Sequence, residues 1–241
     1  MNLRNDGRTS DQVRPIFLKS GVISQAKGSA YLEMDKTKIM CAVYGPRQVR
    51  REDFSLQGQL TCEFKFLTFS CKYRRQHQQD NQEKDYSVIL LEALEPAVRL
   101  EKFPKAKLDI FVTVLEDDGS SLSGAITAAS VALADAGIEM YDLVVGAALR
   151  QNGKMVLMDP CGPEEYRPER APAEVNQGSI TVGLMPSMHQ VAALALRGEL
   201  DQQTTAKGIK LCIETCQKIY PVVQECLIQS VKKKLAEQKP E

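Results

Sequence analysis

Between Val114 and Thr127 the sequence reads VLEDDGSSLSGAIT: an apolar strand pattern, an acidic Gly-Ser turn and the start of an apolar helix. A helix that begins at such a turn aims unpaired backbone N–H groups at whatever precedes it, and those groups favour an oxyanion such as phosphate. Phosphate chemistry there would also want a cation, and the turn contains none. Backbone N–H groups from Gly119 to Ser121 could hold an anion weakly. The alternative is that Ser120 or Ser121 caps a helix packed on a sheet. The carboxylates Glu116, Asp117 and Asp118 suggest a metal, yet adjacent carboxylates in a turn more often accept local N–H bonds or favour a helix start.

No other constellation completes an enzyme. His77 lies in a polar loop and His189 follows a strand break, and no motif sets a serine or cysteine nucleophile beside either. The seven cysteines include no C-x-x-C pair, which disfavours zinc and disulfides and fits a reducing compartment. Cys212 and Cys216 stand one helical turn apart without a nearby histidine, so helix packing is the expectation rather than metal ligation. Dinucleotide and Walker glycine patterns are missing. No catalytic residue, metal ligand or cofactor is therefore assigned. Two basic segments remain: PRQVRRE with Arg47, Arg50 and Arg51, and CKYRRQHQQ with Lys72, Arg74 and Arg75. With Tyr73 and His77 interleaved, these side chains suit phosphate contacts and stacking on a single-stranded nucleic acid. A solvated charged loop accounts for the same composition.

The elements that must position these residues follow from patterning. The chain has 241 residues, with Lys+Arg and Asp+Glu both at 31, so net charge is neutral about partners and length suits one large domain or two closely packed halves. After a polar start, GSAYLEMDKTKIMCAVYG alternates around a Met34–Thr37 turn and predicts a hairpin, with a further strand in GQLTCEFKFLTF. Apolar positions from Tyr86 to Lys102 recur at helical spacing, with Pro96 as an irregularity. AKLDIFVTVL predicts a buried strand, and the Ala-rich run GAITAASVALADAG a helix stopped by Gly137. YDLVVGAALR and KMVLM read as strands, DPCGPEEYRPERAPAEVNQG as a loop, and SITVGLMPSMHQVAALAL as a strand pair broken at Pro186. Asp201 to Leu235 reads as one long helix, or two meeting near Pro221, followed by a charged, solvated tail. The order is α/β or α+β. One domain over 1–241 is expected, with halves of about 15–137 and 138–235. No membrane span or secretory signal is expected.

The segments RNDGRTSDQVRPI, AKGSAYLEMDKTKIMCAVYGPR, ALEPAVRLEKFPKAKLDIFVTVLEDDGS and ALADAGIEMYDLVVGAAL, with the later LMDP, EE and ITVGLMP, follow the order and spacing of the RNase PH family. The sequence resembles that family from about Arg4 to Ile228. The resemblance implies an RNase PH-like fold. It also implies a D-G-G-T-R-T turn whose arginine helps hold the attacking phosphate, and the aligned residues are Asp118, Gly119, Ser120, Ser121, Leu122 and Ser123. Leucine stands at the arginine position. A second phosphate arginine belongs to a G-R-T element where this chain has NQE, with Gln82 at the arginine position. The family's metal or acid-base aspartate lies in D-x-N-V-V-M, and SITVGLM aligns, leaving Ser179.

Within the family, the segments are most similar to a noncatalytic ring subunit of the eukaryotic RNA exosome. That implies other RNase PH-like ring subunits, cap subunits and single-stranded RNA as partners, no membrane, and nucleus, nucleolus and cytoplasm as locations. The expected role is scaffolding and RNA guidance in 3′-to-5′ RNA processing. The alternatives are an active phosphate-dependent 3′-to-5′ exoribonuclease, or a stand-alone RNA-binding module.

Overall fold

The computed structural model describes residues 4, 6–48, 57–153, 155–165 and 176–237. The first sheet holds β1 (Ile16–Ser20), β2 (Gly28–Met34), β3 (Thr37–Gln48), β4 (Gln59–Phe66) and β5 (Ala106–Glu116), in the order β1-β2-β3-β5-β4. The predicted hairpin is β2–β3, with Met34 opposite Thr37. β1 lies in the polar start, where patterning shows no strand; its residues alternate between half-buried and exposed, a weak signal at a sheet edge. β4 and β5 are parallel, so the chain needs a crossover between them, and α1 (Asn81–Leu94) provides it.

The helix pattern expected over Tyr86–Lys102 is shifted. It begins at Asn81, where the Asp80 N–H donates to Glu83 Oε2 at 2.9 Å, and it tightens into a 3-10 turn at Glu95–Ala97. Pro96 supplies no N–H to continue the α-helical ladder, which explains the early end.

α2 (Ser121–Asp135) is covered on two sides, and every residue from Ser121 to Leu133 is buried. Its Ala-rich sequence permits this, and glycines on both neighbouring sheets complete it. A Cβ at Gly28 would lie 2.3 Å from Ala132 O, and one at Gly146 would lie 2.3 Å from Ser123 O. The second sheet is antiparallel: β6 (Val145–Asn152), β7 (Met155–Met158), β8 (Gln177–Met185) and β9 (Gln190–Glu199), in the order β7-β6-β8-β9. α3 (Gly162–Glu165) is a single turn between β7 and β8.

α4 (Gln202–Glu237) is one helix with Pro221 inside it, which decides between the two readings of that segment. Its buried Cys212 and Cys216 face the second sheet, and Cys216 Sγ donates to Val145 O at 3.3 Å. The helix ends at Glu237, close to the expected Leu235, and Val231 to Ala236 are exposed as a solvated end requires, with Cys226 against Leu18 of β1 and Lys234 pairing with Asp135 at 2.7 Å. The layers are therefore sheet, α1 with α2, sheet, and α4, with one continuous apolar cluster. Among the described residues, no helix is long and apolar enough to cross a membrane.

Candidate anion pocket between the two sheets

Where the first turns of α1 and α2 meet the second sheet, the layers leave a cavity of about 180 Å³. Gln82 of α1, Leu122 of α2 and Ser179 of β8 all line it. Three positions spread over nearly a hundred residues thus meet at one cavity, Gln82 and Leu122 on its helical wall and Ser179 on its sheet wall. The opposite wall has no signature in the sequence. Arg150, Ser179 and Arg197 are direct cross-strand partners on β6, β8 and β9, and Ala148, Thr181 and Ala195 form the next row. Residues opposite one another point to the same face, so this row puts two guanidiniums on either side of the Ser179 hydroxyl. Arg197 also lies over the Tyr86 ring at 4.8 Å from its centroid and pairs with Asp85 at 3.6 Å.

The acidic turn is already bonded. Ser120 is left-handed (φ 55°) and caps nothing with its side chain; its Oγ donates to Pro160 O at 3.1 Å. Its backbone N–H donates to Glu165 Oε2 at 2.9 Å, so a carboxylate of the chain itself takes one N–H that the sequence offered to a phosphate. Gly119 N–H donates to Asp117 Oδ1 at 3.3 Å, and Gly162 N–H to Asp118 Oδ1 at 3.2 Å. The local-bonding reading of these carboxylates holds, while the side-chain cap does not form. Burial pushes the Glu165 carboxyl above the usual range; the Ser120 N–H and the nearby Arg150 oppose that push, and Asp117 adds to it.

α3 and the turn are held by the N-terminal arginines. Arg4 pairs with Glu164 and donates to Met158 O and Asp159 O, while Arg14 donates to Asp159, Asp118 O and Gly119 O. Arg4 and Arg14 thus form a clamp across the site, a role that the composition of the N-terminal stretch does not reveal.

Of the candidate RNA-binding residues, Arg50 and Arg51 lie outside the described residues. Arg47 pairs with Asp109 at 3.7 Å but keeps 58% of its side chain exposed. Lys72 and Arg74 are exposed, as are Phe69 and Tyr73 beside them, and the Lys72 ammonium lies over the Tyr73 ring. Arg75 is turned inward instead: Nε contacts Cys71 Sγ, Nη2 donates to Gln82 Oε1 at 3.0 Å, and the guanidinium stacks 4.1 Å from the Phe66 centroid. It anchors the loop to α1. His77 and His189 are exposed, and among the described residues no group of His, Cys, Asp and Glu is placed to hold a metal.

Residues 12–139 match the family described as the 3′ exoribonuclease family (RNase PH), domain 1. The chain belongs to the RNase PH family. Relatives within it include the human exosome complex component MTR3, 41% identical over 97% of this chain and 89% of that protein. The exosome complex component RRP41-like of Arabidopsis thaliana is 36% identical over 94% of this chain and 85% of its own length. Two solved structures share the RNase PH fold at a TM-score of 0.78 each. They are rice Rrp46, 23% identical over 93% of this chain and 100% of its own, and the Archaeoglobus fulgidus exosome with RNA bound to the active site, 21% identical over 91% and 92%. Gln82, Leu122 and Ser179, the three positions that the resemblance sets against the family's two phosphate arginines and its aspartate, all line this cavity.

Proposed function

We propose that this chain is a noncatalytic, MTR3-type ring subunit of an RNA exosome. In this reading it completes a hetero-oligomeric ring with other RNase PH-like subunits, docks cap subunits and helps guide single-stranded RNA to a nuclease site on another subunit. The observation that carries it is the convergence of Gln82, Leu122 and Ser179 on one cavity. Phosphorolysis joins an anionic nucleophile to an anionic backbone, so charge must be neutralised in the transition state, and Gln82 and Leu122 leave the α1 and α2 side of the cavity without a cation, the guanidiniums of Arg150 and Arg197 lying on the second sheet instead. Proton transfer at the leaving oxygen needs a group of suitable pKa or a metal, and a serine hydroxyl supplies neither. The full-length identity to a named exosome component supports the ring role. Nucleus, nucleolus and cytoplasm are the corresponding locations, to be checked by imaging the tagged chain.

One observation favours the rival enzyme reading: Glu165 is a carboxyl with a raised pKa at the cavity wall, a property shared by general acids. Its Oε2 is engaged by the Ser120 N–H, which favours a structural role. The deciding experiment incubates the purified chain with single-stranded RNA, phosphate and magnesium, and separately co-expresses it with RNase PH-like partners. The proposal expects no nucleoside diphosphate from the chain alone and a stoichiometric complex on co-expression. Phosphate-dependent RNA shortening by the chain alone would establish the rival.

A further inference from the structure

The two sheets end in the edge strands β1, β4, β7 and β9, and an open edge offers its backbone N–H and C=O groups to any strand that meets it. Three of these edges are closed. Along β4, the Phe64 N–H donates to Ser87 Oγ at 2.9 Å and the Phe66 N–H to Glu83 Oε1 at 2.8 Å, so α1 takes the edge donors. The Leu18 carbonyl of β1 accepts from Cys226 of α4, and β7, only four residues long, has its Met158 N–H bonded to Ser10 O at 2.9 Å. Among the described residues, β9 has no such cover. From Val191 to Leu196 it also lacks the charges and prolines that commonly keep an edge from pairing.

Its side chains show the same contrast. Val191, Leu194 and Leu196 lie opposite Leu184, Val182 and Ile180 of β8, so both rows share the face on which α4 packs. The β8 row is at most 1% exposed, whereas Val191, Leu194 and Leu196 are 43%, 46% and 47% exposed. α4 covers β6 and β8 and stops short of the last strand. The complement of an uncharged apolar edge is an uncharged apolar strand, and β9 is itself one. In an antiparallel register centred on Ala195, Leu194 of each copy faces Leu196 of the other and Arg197 faces Ala193, so no like charges meet. We infer that β9 pairs with β9 of a second copy of this chain, joining two four-stranded sheets into one continuous sheet. The contact is one strand wide and smaller than a standard stable interface, so the dimer is reversible, with a Kd on the order of 1–100 μM. It is independent of the ring reading, which concerns other chains of the family.

Sedimentation equilibrium of the purified full chain over about 1–200 μM tests this, with a monomer–dimer equilibrium as the expected result. Leu194→Lys and Leu196→Glu, both at exposed positions, should keep the wild-type melting temperature and each weaken the dimer by about tenfold or more. Mixing the two variants should restore pairing, because position 194 of one copy faces position 196 of the other. Phe17→Lys, on the exposed face of β1, should leave the equilibrium unchanged. A chain that stays monomeric throughout overturns the inference, and so does a dimer that neither β9 variant weakens or a mixture that fails to pair. If the chain alone is monomeric and the β9 variants instead lose a co-expressed RNase PH-like partner, the edge belongs to that partner and not to a second copy.

Discussion

Arg14 grips Asp159 at two points, with Nε 2.9 Å from Oδ2 and Nη2 2.8 Å from Oδ1, while its backbone N–H also donates to Oδ2 at 2.9 Å. Both side chains are almost fully buried. The remaining Arg14 donors reach Asp118 O and Gly119 O, so one guanidinium fixes the loop after β7 against the turn before α2. The pocket exists because these two loops are held together.

Removing that guanidinium leaves a buried carboxylate without its counter-charge. Arg14→Ala should cost about 3–5 kcal/mol of unfolding free energy in urea titrations. Asp159→Asn, which keeps an oxygen acceptor, should cost less.

The same pair sets an acid limit. Burial raises the Asp159 pKa, but the hydrogen bonds and charge of Arg14 outweigh it, and the carboxyl lies below the ordinary aspartate range. A depressed folded-state pKa contributes stability above the unfolded value and loses it as pH falls through the folded one. Wild type should therefore lose stability more steeply than Asp159→Asn on acidification below the ordinary carboxylate range, as read by melting temperature against pH.

Glu165 behaves with the opposite sign. Its folded-state pKa is raised, so its contribution is complete below the unfolded value and is lost as pH rises through the folded one. Glu165→Gln keeps an acceptor for the Ser120 N–H and removes the charge. The variant should match wild type in acid and become the more stable of the two toward neutral pH. A stability difference that does not vary with pH would show that the carboxyl is not perturbed.

Restoring one cation should not restore chemistry. Leu122→Arg in the isolated chain should release no nucleoside diphosphate from RNA, because the position aligned with the acid-base aspartate remains Ser179. Phosphate-dependent product from this single variant would mean that another group, Glu165 foremost, transfers the proton.

The basic loop should divide by function. Lys72→Ala and Arg74→Ala should leave stability unchanged and weaken RNA binding by the assembled ring, with the log-log salt slope shallower by about 0.7 for each RNA phosphate that is no longer neutralised. Arg75→Ala should instead lower stability by about 1–3 kcal/mol, since it removes the hydrogen bonds to α1 and the stacking on Phe66. Equal effects of all three on RNA binding, without loss of stability, would reverse that division.

Local patterning was enough for the β2–β3 hairpin, β5, the Ala-rich α2 and the strand pair broken at Pro186, because periods of two and 3.6 residues register which side of an element meets the core. The order of these elements, with the residues around the VLEDDGSSLSGAIT turn, was enough for the RNase PH family. Alternation could not reveal β1, whose edge position leaves it half-solvated, and helical spacing could not place the end of α1, where Pro96 overrides it. The cavity itself was illegible in sequence. Arg150 and Arg197 are 47 positions apart and become neighbours of Ser179 only through antiparallel register. Arg75 reads like Arg74 until the loop turns it onto Phe66. Glu165 reads as one acid in a proline-rich loop until the Arg14–Asp159 and Arg4–Glu164 pairs bring it to the start of α2. Side-chain type fixes which bonds a residue can make, but partners distant along the chain are chosen by the packing of sheets and helices. Charge and hydrogen bonding act at contact range, so that choice decided which arginines face the cavity and which carboxylate already occupies its edge.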